Sequence, residues 1–333
     1  MPNLYVTEPG ARLEIEAGRW LVSLGDEVQL SVPATRVEQV VIAGGVGVTT
    51  PALGLLLDRG IGLVLLTLGG AFRGRLSAGV GKNVGLRRQQ YRRAEDPAFC
   101  LALSTAFVAG KLGNARTLCL RLDATNDDPT TLGVVADLHR LIAALDEAPD
   151  RDAVLGIEGQ GGRRYFDAFR RHLDPPWELP RRARRPPPDP VNALLSLLYT
   201  LLHESCYSAL DAVGLDPYCG YYHAERYGRA SLASDLMEEF RPIIADSVAL
   251  WLLNKQILSL SDFRPVGEGR GVHLSQDAWR HVATAYQRRL ATTVRPPGVS
   301  RAISYQKVLE VQARALRRVI EGEDSAYAPF RTR

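Results

Sequence analysis

A chain of 333 residues, with 46% apolar and 23% charged side chains, has the make-up of a folded globular protein with room for one large domain or two of ordinary size. Its net charge of +4 is mildly basic and by itself points only weakly to a nucleic-acid partner. No apolar run of about twenty residues is free of charge, so no membrane span is expected.

The opening Met1-Pro-Asn-Leu-Tyr5 has no basic segment followed by an apolar one, so no secretion signal is expected. Alternating polar and apolar residues at Arg12–Glu16 predict a half-buried strand, and Arg19–Leu24, Val28–Val32 and Val37–Ile42 are further β-prone runs separated by Gly18, Gly25-Asp26 and Pro33. Thr49-Thr50-Pro51 is a capped helix start, Ala52–Arg59 a short helix and Gly60 its stop. Ile61–Thr67 is a buried strand, with another over Ala71–Leu76. Gly44-Gly45-Val46-Gly47 faintly resembles a dinucleotide loop, but the third glycine is absent and no acidic residue closes the next strand.

From about residue 86 the period becomes helical. Helices are predicted from Asp96-Pro97 through Leu120, from Pro129 to Leu145, and from near Asp152 through Glu158 to His172. An exposed proline- and arginine-rich loop follows over Asp174–Pro190. Further helices are predicted over Asn192–Val213, over Leu232–Leu258 with a kink at Pro242, and over Ser275–Ala291 and Ser304–Glu321. The fold class is α+β: a small β-rich N-terminal domain over residues 1–84 and a larger all-α domain over 85–333. Cys100, Cys119, Cys206 and Cys219 form no C-x-x-C pair and read as buried thiols of a reducing cytoplasm, which sets the expected location.

Arginine far outnumbers lysine and is clustered at Arg87-Arg88, Arg92-Arg93, Arg163-Arg164, Arg181-Arg182 with Arg184-Arg185, and Arg317-Arg318. Guanidinium groups match phosphate oxygens in a bidentate way, so these clusters are candidates for tracking a nucleic-acid backbone; the competing explanation is codon bias and solvated faces.

The residues with most chemical content are His223 and the run Ser231-Leu-Ala-Ser-Asp235-Leu-Met-Glu238-Glu-Phe-Arg241-Pro. Asp235 and Glu238 are three apart and share a helix face, although Glu239 is nearly as well placed and spacing does not separate the two glutamates. Oxygen donors of this kind suit magnesium or manganese, and an imidazole tilts the choice toward manganese. Glu158, among apolar and glycine residues, is a further candidate, its glycines leaving room for a substrate backbone.

Taken together, Glu158 with its glycines, Asp189-Pro-Val-Asn192, Gly220-Tyr-Tyr-His223 and Asp235-Leu-Met-Glu-Glu-Phe-Arg-Pro occur in an order that resembles the Cas1 family of CRISPR adaptation integrases over nearly the whole chain. The resemblance implies metal-site residues at Glu158, His223, Asp235 and Glu238, with Glu238 chosen over Glu239. It also implies a site-supporting Asn192, a homodimer built on the N-terminal domain, and the small Cas2 subunit as partner. The expected chemistry is phosphoryl transfer on double-stranded DNA with Mg2+ or Mn2+, Glu158, His223 and Asp235 holding the ion and Glu238 as a further ligand or support. Arg226 and Arg241, three residues after His223 and Glu238, are candidates for contacting a phosphate near the reacting one, with Arg87, Arg88, Arg92 and Arg93 further along the duplex. The competing readings are a non-catalytic DNA-binding scaffold and a metal hydrolase of small phosphate esters.

Overall fold

A computed structural model describes residues 3–79, 83–124, 128–183, 186–265, 271–297 and 299–332. Its strand-rich beginning is β1 (Asn3–Val6), β2 (Ala11–Glu16), β3 (Arg19–Leu24), β4 (Glu27–Pro33), β5 (Gln39–Ala43), β6 (Gly47–Val48), α1 (Thr50–Asp58), β7 (Gly62–Leu66) and β8 (Phe72–Leu76). The helices that follow are α2 (Val84–Ala94), α3 (Pro97–Leu122), α4 (Pro129–Ala144), α5 (Arg151–Arg171), α6 (Pro190–Ala212), α7 (Ser231–Glu238), α8 (Ser247–Asn254), α9 (Gln276–Ala291) and α10 (Tyr305–Glu321). The α+β class expected from the sequence is the one observed, with β1 an addition that alternation did not reveal.

Contacts divide the chain into two units. The first is Met1–Val80 with Ala183–Thr200 and Gln256–Gln287; the second is Gly81–Arg182, Leu201–Lys255 and Arg288–Arg333. In the first, β1, β5 and β7 run parallel with β8 antiparallel at the edge, and a second sheet is ordered β4-β3-β2-β6. All five residues of β5 are buried, as a central parallel strand requires. Both residues of the β2–β3 turn, Ala17 and Gly18, have positive φ (48° and 72°), which fits the twist of a two-residue hairpin. Trp20, Leu13 and Ile42 anchor the core. Two segments that the sequence reading assigns to the helical domain cluster with these strands instead. The physical reason is local: the Trp279 indole donates to the carbonyl of Leu68 at 2.7 Å, and Gly70 lies so close to Leu197 that a Cβ would meet its Cδ1 at 2.6 Å.

The second unit is helical. Asp96, Asp128 and Asp150 each accept backbone N–H groups at the starts of α3, α4 and α5, with proline in the first turn of the first two. By length and composition α3 is apolar enough to cross a membrane, the one such helix among the described residues, but over half of its apolar window is buried, and it packs against α4, α5 and α7 as a core helix. The kink expected at Pro242 is a π-helical turn, Arg241–Asp246, between α7 and α8. Its Asp246 accepts from the Tyr165 hydroxyl at 2.7 Å, which ties this turn to α5. All four cysteines are buried free thiols, as expected.

The end of the chain is clamped to α3. Asn114 donates to the carbonyls of Glu239 and Phe330 at 2.7 and 2.8 Å and accepts from Thr332 N–H at 2.8 Å. The buried Glu239 carboxylate accepts from the Tyr327 hydroxyl and the Phe330 amide, and Gln312 lies 3.4 Å from it. Burial pushes its pKa up to about 8 against those hydrogen bonds. With the folded pKa above the ordinary value of 4.5, this group contributes stability that is fully present below pH 4.5 and is lost as pH rises through about 8. The thermal midpoint is therefore expected to fall between about pH 4.5 and 8 and to level off above, and Glu239→Gln to flatten this slope in pH-resolved melting curves. Glu239→Ala, which strands buried donors, is expected to cost about 2 kcal/mol or more in denaturant unfolding.

Candidate active site

The site is built in the helical unit from α3, α5, α7 and the loop that precedes α7. Asp235 is fully buried and works as an anchor. Its Oδ2 accepts the N–H groups of Tyr221 and Tyr222 at 2.7 and 3.0 Å, and its Oδ1 accepts the N–H and the Nδ1 of His223 at 2.9 and 2.7 Å. Four donors fill the four lone-pair positions of one carboxylate. Because Asp235 is acceptor-only, Nδ1 carries a proton in this pair, which fixes the ring and turns Nε2 toward Glu238. Gly220 makes the arrangement possible: a Cβ there would lie 2.8 Å from the Ser231 carbonyl carbon and 2.9 Å from Asp235 Oδ2.

Glu238, one turn along α7, is nearly fully buried and faces His223, with Oε1 3.7 Å from Nε2. The same oxygen is 3.0 Å from the Arg241 guanidinium, and Oε2 is 2.7 Å from Lys111 Nζ. Lys111, from the middle of α3, also pairs with Glu158 on α5. Burial acts to raise the Glu238 pKa, but the charges of Arg241, Lys111 and His223 outweigh it and bring it down to about 2. Gly161 lets α3 and α5 approach this closely, since a Cβ there would meet Leu112 Cδ2 at 2.5 Å. Gly161 thus serves helix packing, whereas Gly156 and Gly162 face open space and Gly159 meets only Arg163 at 3.8 Å.

The structure brings Glu158, His223, Asp235 and Glu238 into one cluster but divides their roles differently from the sequence expectation. Asp235, expected as a ligand, has no lone pair to spare and instead aims the histidine. Glu238, expected as ligand or support, faces the imidazole and both cationic side chains. Glu239 points the opposite way, into the C-terminal clamp. Asn192 belongs to the other unit: its Oδ1 accepts from Ala183 N–H at 2.9 Å and its Nδ2 donates to Asp189 at 2.7 Å, so it fixes the entry to α6. Arg241 is 9% exposed and pairs with Glu238, which removes it from any outer phosphate-contacting surface. Arg226, Arg88 and Arg92 are exposed and Arg87 partly so, whereas Arg93 lies 4.9 Å over the Phe99 ring. Arg317 and Arg318 are engaged by Glu321 and Asp324. Arg184 and Arg185 lie outside the described residues. Lys111 was not anticipated; the available signal is a charge inside the apolar run Phe107-Val-Ala-Gly-Lys111-Leu of a core helix.

Among the described residues no three His, Cys, Asp or Glu side chains stand ready to hold a metal as they are. The donor chemistry nevertheless fits a divalent cation. Two carboxylates from different helices are drawn onto one positive charge, and an imidazole nitrogen faces one of them. The buried Tyr222 hydroxyl has no hydrogen-bond partner.

Residues 4–288 match the sequence profile of the family described as CRISPR associated protein Cas1. The chain belongs to the Cas1 family. A relative named CRISPR-associated endonuclease Cas1 3, from Thermus thermophilus, is 38% identical over 333 residues, covering 99% of this chain and 97% of its own. A solved casposase bound to integration product has a TM-score of 0.85 at 20% identity, over 98% of this chain and 93% of that one. A Cas6-RT-Cas1–Cas2 complex gives a TM-score of 0.83 at 24% identity over 98% of this chain, which spans only 36% of the matched one. At these identities the two structures speak for the fold, and the Cas1 fold is what the two units form.

The geometry sets a test for this Cas1 site. Gly220→Ala forces the loop away from Asp235 and is expected to release the tyrosine and histidine amides, with a stability loss of about 1–3 kcal/mol. The His223 ring should then lose its fixed tautomer, which nitrogen-15 NMR of the imidazole reads directly.

Proposed function

We propose that this chain is a metal-dependent DNA endonuclease and integrase that inserts DNA fragments into a CRISPR array by phosphoryl transfer. The observation that carries the reading is the convergence, from three separate stretches of a Cas1 chain, of Glu158 and Glu238 on the Lys111 ammonium with the Nε2 of His223 facing Glu238. Glu158, Glu238 and His223 are the residues to hold Mg2+ or Mn2+. Such an ion, when bound, supplies Lewis-acid polarisation of a phosphodiester oxygen and offsets the charge that grows in the transition state.

The side chains divide the remaining work. Asp235 locks the imidazole so that Nε2 stays directed at Glu238. Arg241 holds Glu238 from behind and keeps it ionised. The nucleophile is the 3′-hydroxyl of the incoming DNA in integration and water in nicking, so the site needs no nucleophilic side chain. Arg226 and the α2 arginines, Arg87, Arg88, Arg92 and Arg93, follow the duplex backbone. Arg88 and Arg92, four apart, present one exposed stripe.

Two further parts of the reading concern partners. The N-terminal unit is the dimerisation surface: Leu24, Val28 and Leu30 are exposed on and beside β4, an edge strand with open pairing positions. Cas2 is the expected companion, in keeping with the Cas1–Cas2 complex of similar fold, and the place of action is the cytoplasm.

His223→Ala is expected to abolish strand transfer and nicking of short duplex DNA while leaving the circular dichroism spectrum unchanged. EDTA should stop the reaction, and Mn2+ should restore it at least as well as Mg2+; full activity in chelator sinks the metal mechanism. A small phosphoester assayed in parallel separates DNA chemistry from general phosphoesterase activity, and binding without any turnover leaves only a scaffold. Arg88→Ala and Arg92→Ala should each lower the slope of log affinity against log salt by about 1, read from binding titrations at several salt concentrations.

A further inference from the structure

Lys111 is the site residue to which the proposed chemistry gives no role. Its ammonium lies between Glu158 and Glu238, 2.7 Å from Glu238 Oε2, with the side chain only 12% exposed. Two carboxylates held at one point and mostly removed from water repel strongly, and they stay together only around a positive charge. Asp235 does not share this problem, because backbone and imidazole donors already satisfy it. The pair that needs a counter-charge is therefore the pair proposed to hold the metal.

The nature of the contact bears on its permanence. Glu238 Oε2 lies at ion-pair distance from Nζ. An ammonium is a point charge, and a divalent ion with oxygen ligands can take over the same carboxylate oxygens. The chain has four lysines against 37 arginines, and one of the four stands here. A guanidinium would lock onto a carboxylate through a planar, two-point contact, whereas an ammonium is a compact charge on a flexible four-carbon stem that can be displaced.

We infer that Lys111 is an exchangeable counter-ion: it holds Glu158 and Glu238 together until a divalent cation takes the same oxygens, and so sets the metal concentration at which the site loads. This rests on the reading of the cluster as a metal site. Lys111 is thus a positioning residue in the unloaded protein and a competitor of the metal.

Calorimetric titration of Mn2+ into the full chain tests this, with Lys111→Met and Lys111→Gln beside the parent and Glu158→Gln as the control that marks the site. Thermal midpoints are recorded in EDTA and in Mn2+. Both Lys111 variants should melt below the parent in EDTA, bind Mn2+ at least about tenfold tighter (one removed ionic competitor) and gain more from Mn2+ in midpoint; Lys111→Arg should bind it more weakly than the parent. The glutamine variant keeps a donor to the carboxylates and carries the test where the methionine variant does not fold. Variants that bind Mn2+ no tighter than the parent overturn the inference while the metal reading stands. No binding by the parent or any variant overturns both.

Discussion

The arrangement of the site depends on a single carboxylate whose acceptor positions are all used. Asp235 collects two tyrosine amides, the His223 amide and the His223 ring, and in doing so converts the flexible-looking Gly220–His223 stretch into a fixed wall. The peptide dipoles of that wall compensate the buried charge, so the carboxylate itself needs no metal. What it delivers is direction: an imidazole nitrogen facing Glu238. Removing the side chain at position 220 is a condition of the same geometry, which makes one glycine and one aspartate a single device.

Helix α3 is the second organising element. Along consecutive turns it carries Gly110, which passes close to Pro329 and Glu239, then Lys111 at the carboxylate pair, then Asn114 in the C-terminal clamp. Its length and hydropathy are those of a membrane-crossing segment, yet its polar residues fall where they are paired inside the helical unit. Its neighbours α4, α5 and α7 cover much of its apolar surface.

Much of this was legible in the sequence because local rules carried it. The aspartate caps with following prolines set the starts of α3 and α4, and alternation set β2 and β3. The convergence of Glu158, His223, Asp235 and Glu238 followed from the order of motifs, not from spacing. Spacing left Glu238 and Glu239 equivalent. What separates them is the tail: Tyr327 and Phe330 reach Glu239 across about ninety positions of sequence, a relation that a local pattern does not show. The same holds for Lys111, which reads as an ordinary charge until α5 is laid beside it. Arg241 reads as a surface arginine until burial shows otherwise, and Ala183–Thr200 and Gln256–Gln287 read as helical-domain segments because periodicity does not reveal which core a helix joins.

The clamp on Glu239 has a consequence for how the catalytic half is assembled. Glu238 and Glu239 are neighbours, so the Tyr327–Phe330 segment and the carboxylate that faces His223 are joined through a single peptide unit. The closing segment, including Phe330 stacked on Phe240, acts as a wedge that orients α7 from its far side. Without that wedge α7 loses its support on the side away from Asp235, and Glu238 loses the backing that holds it in register with His223.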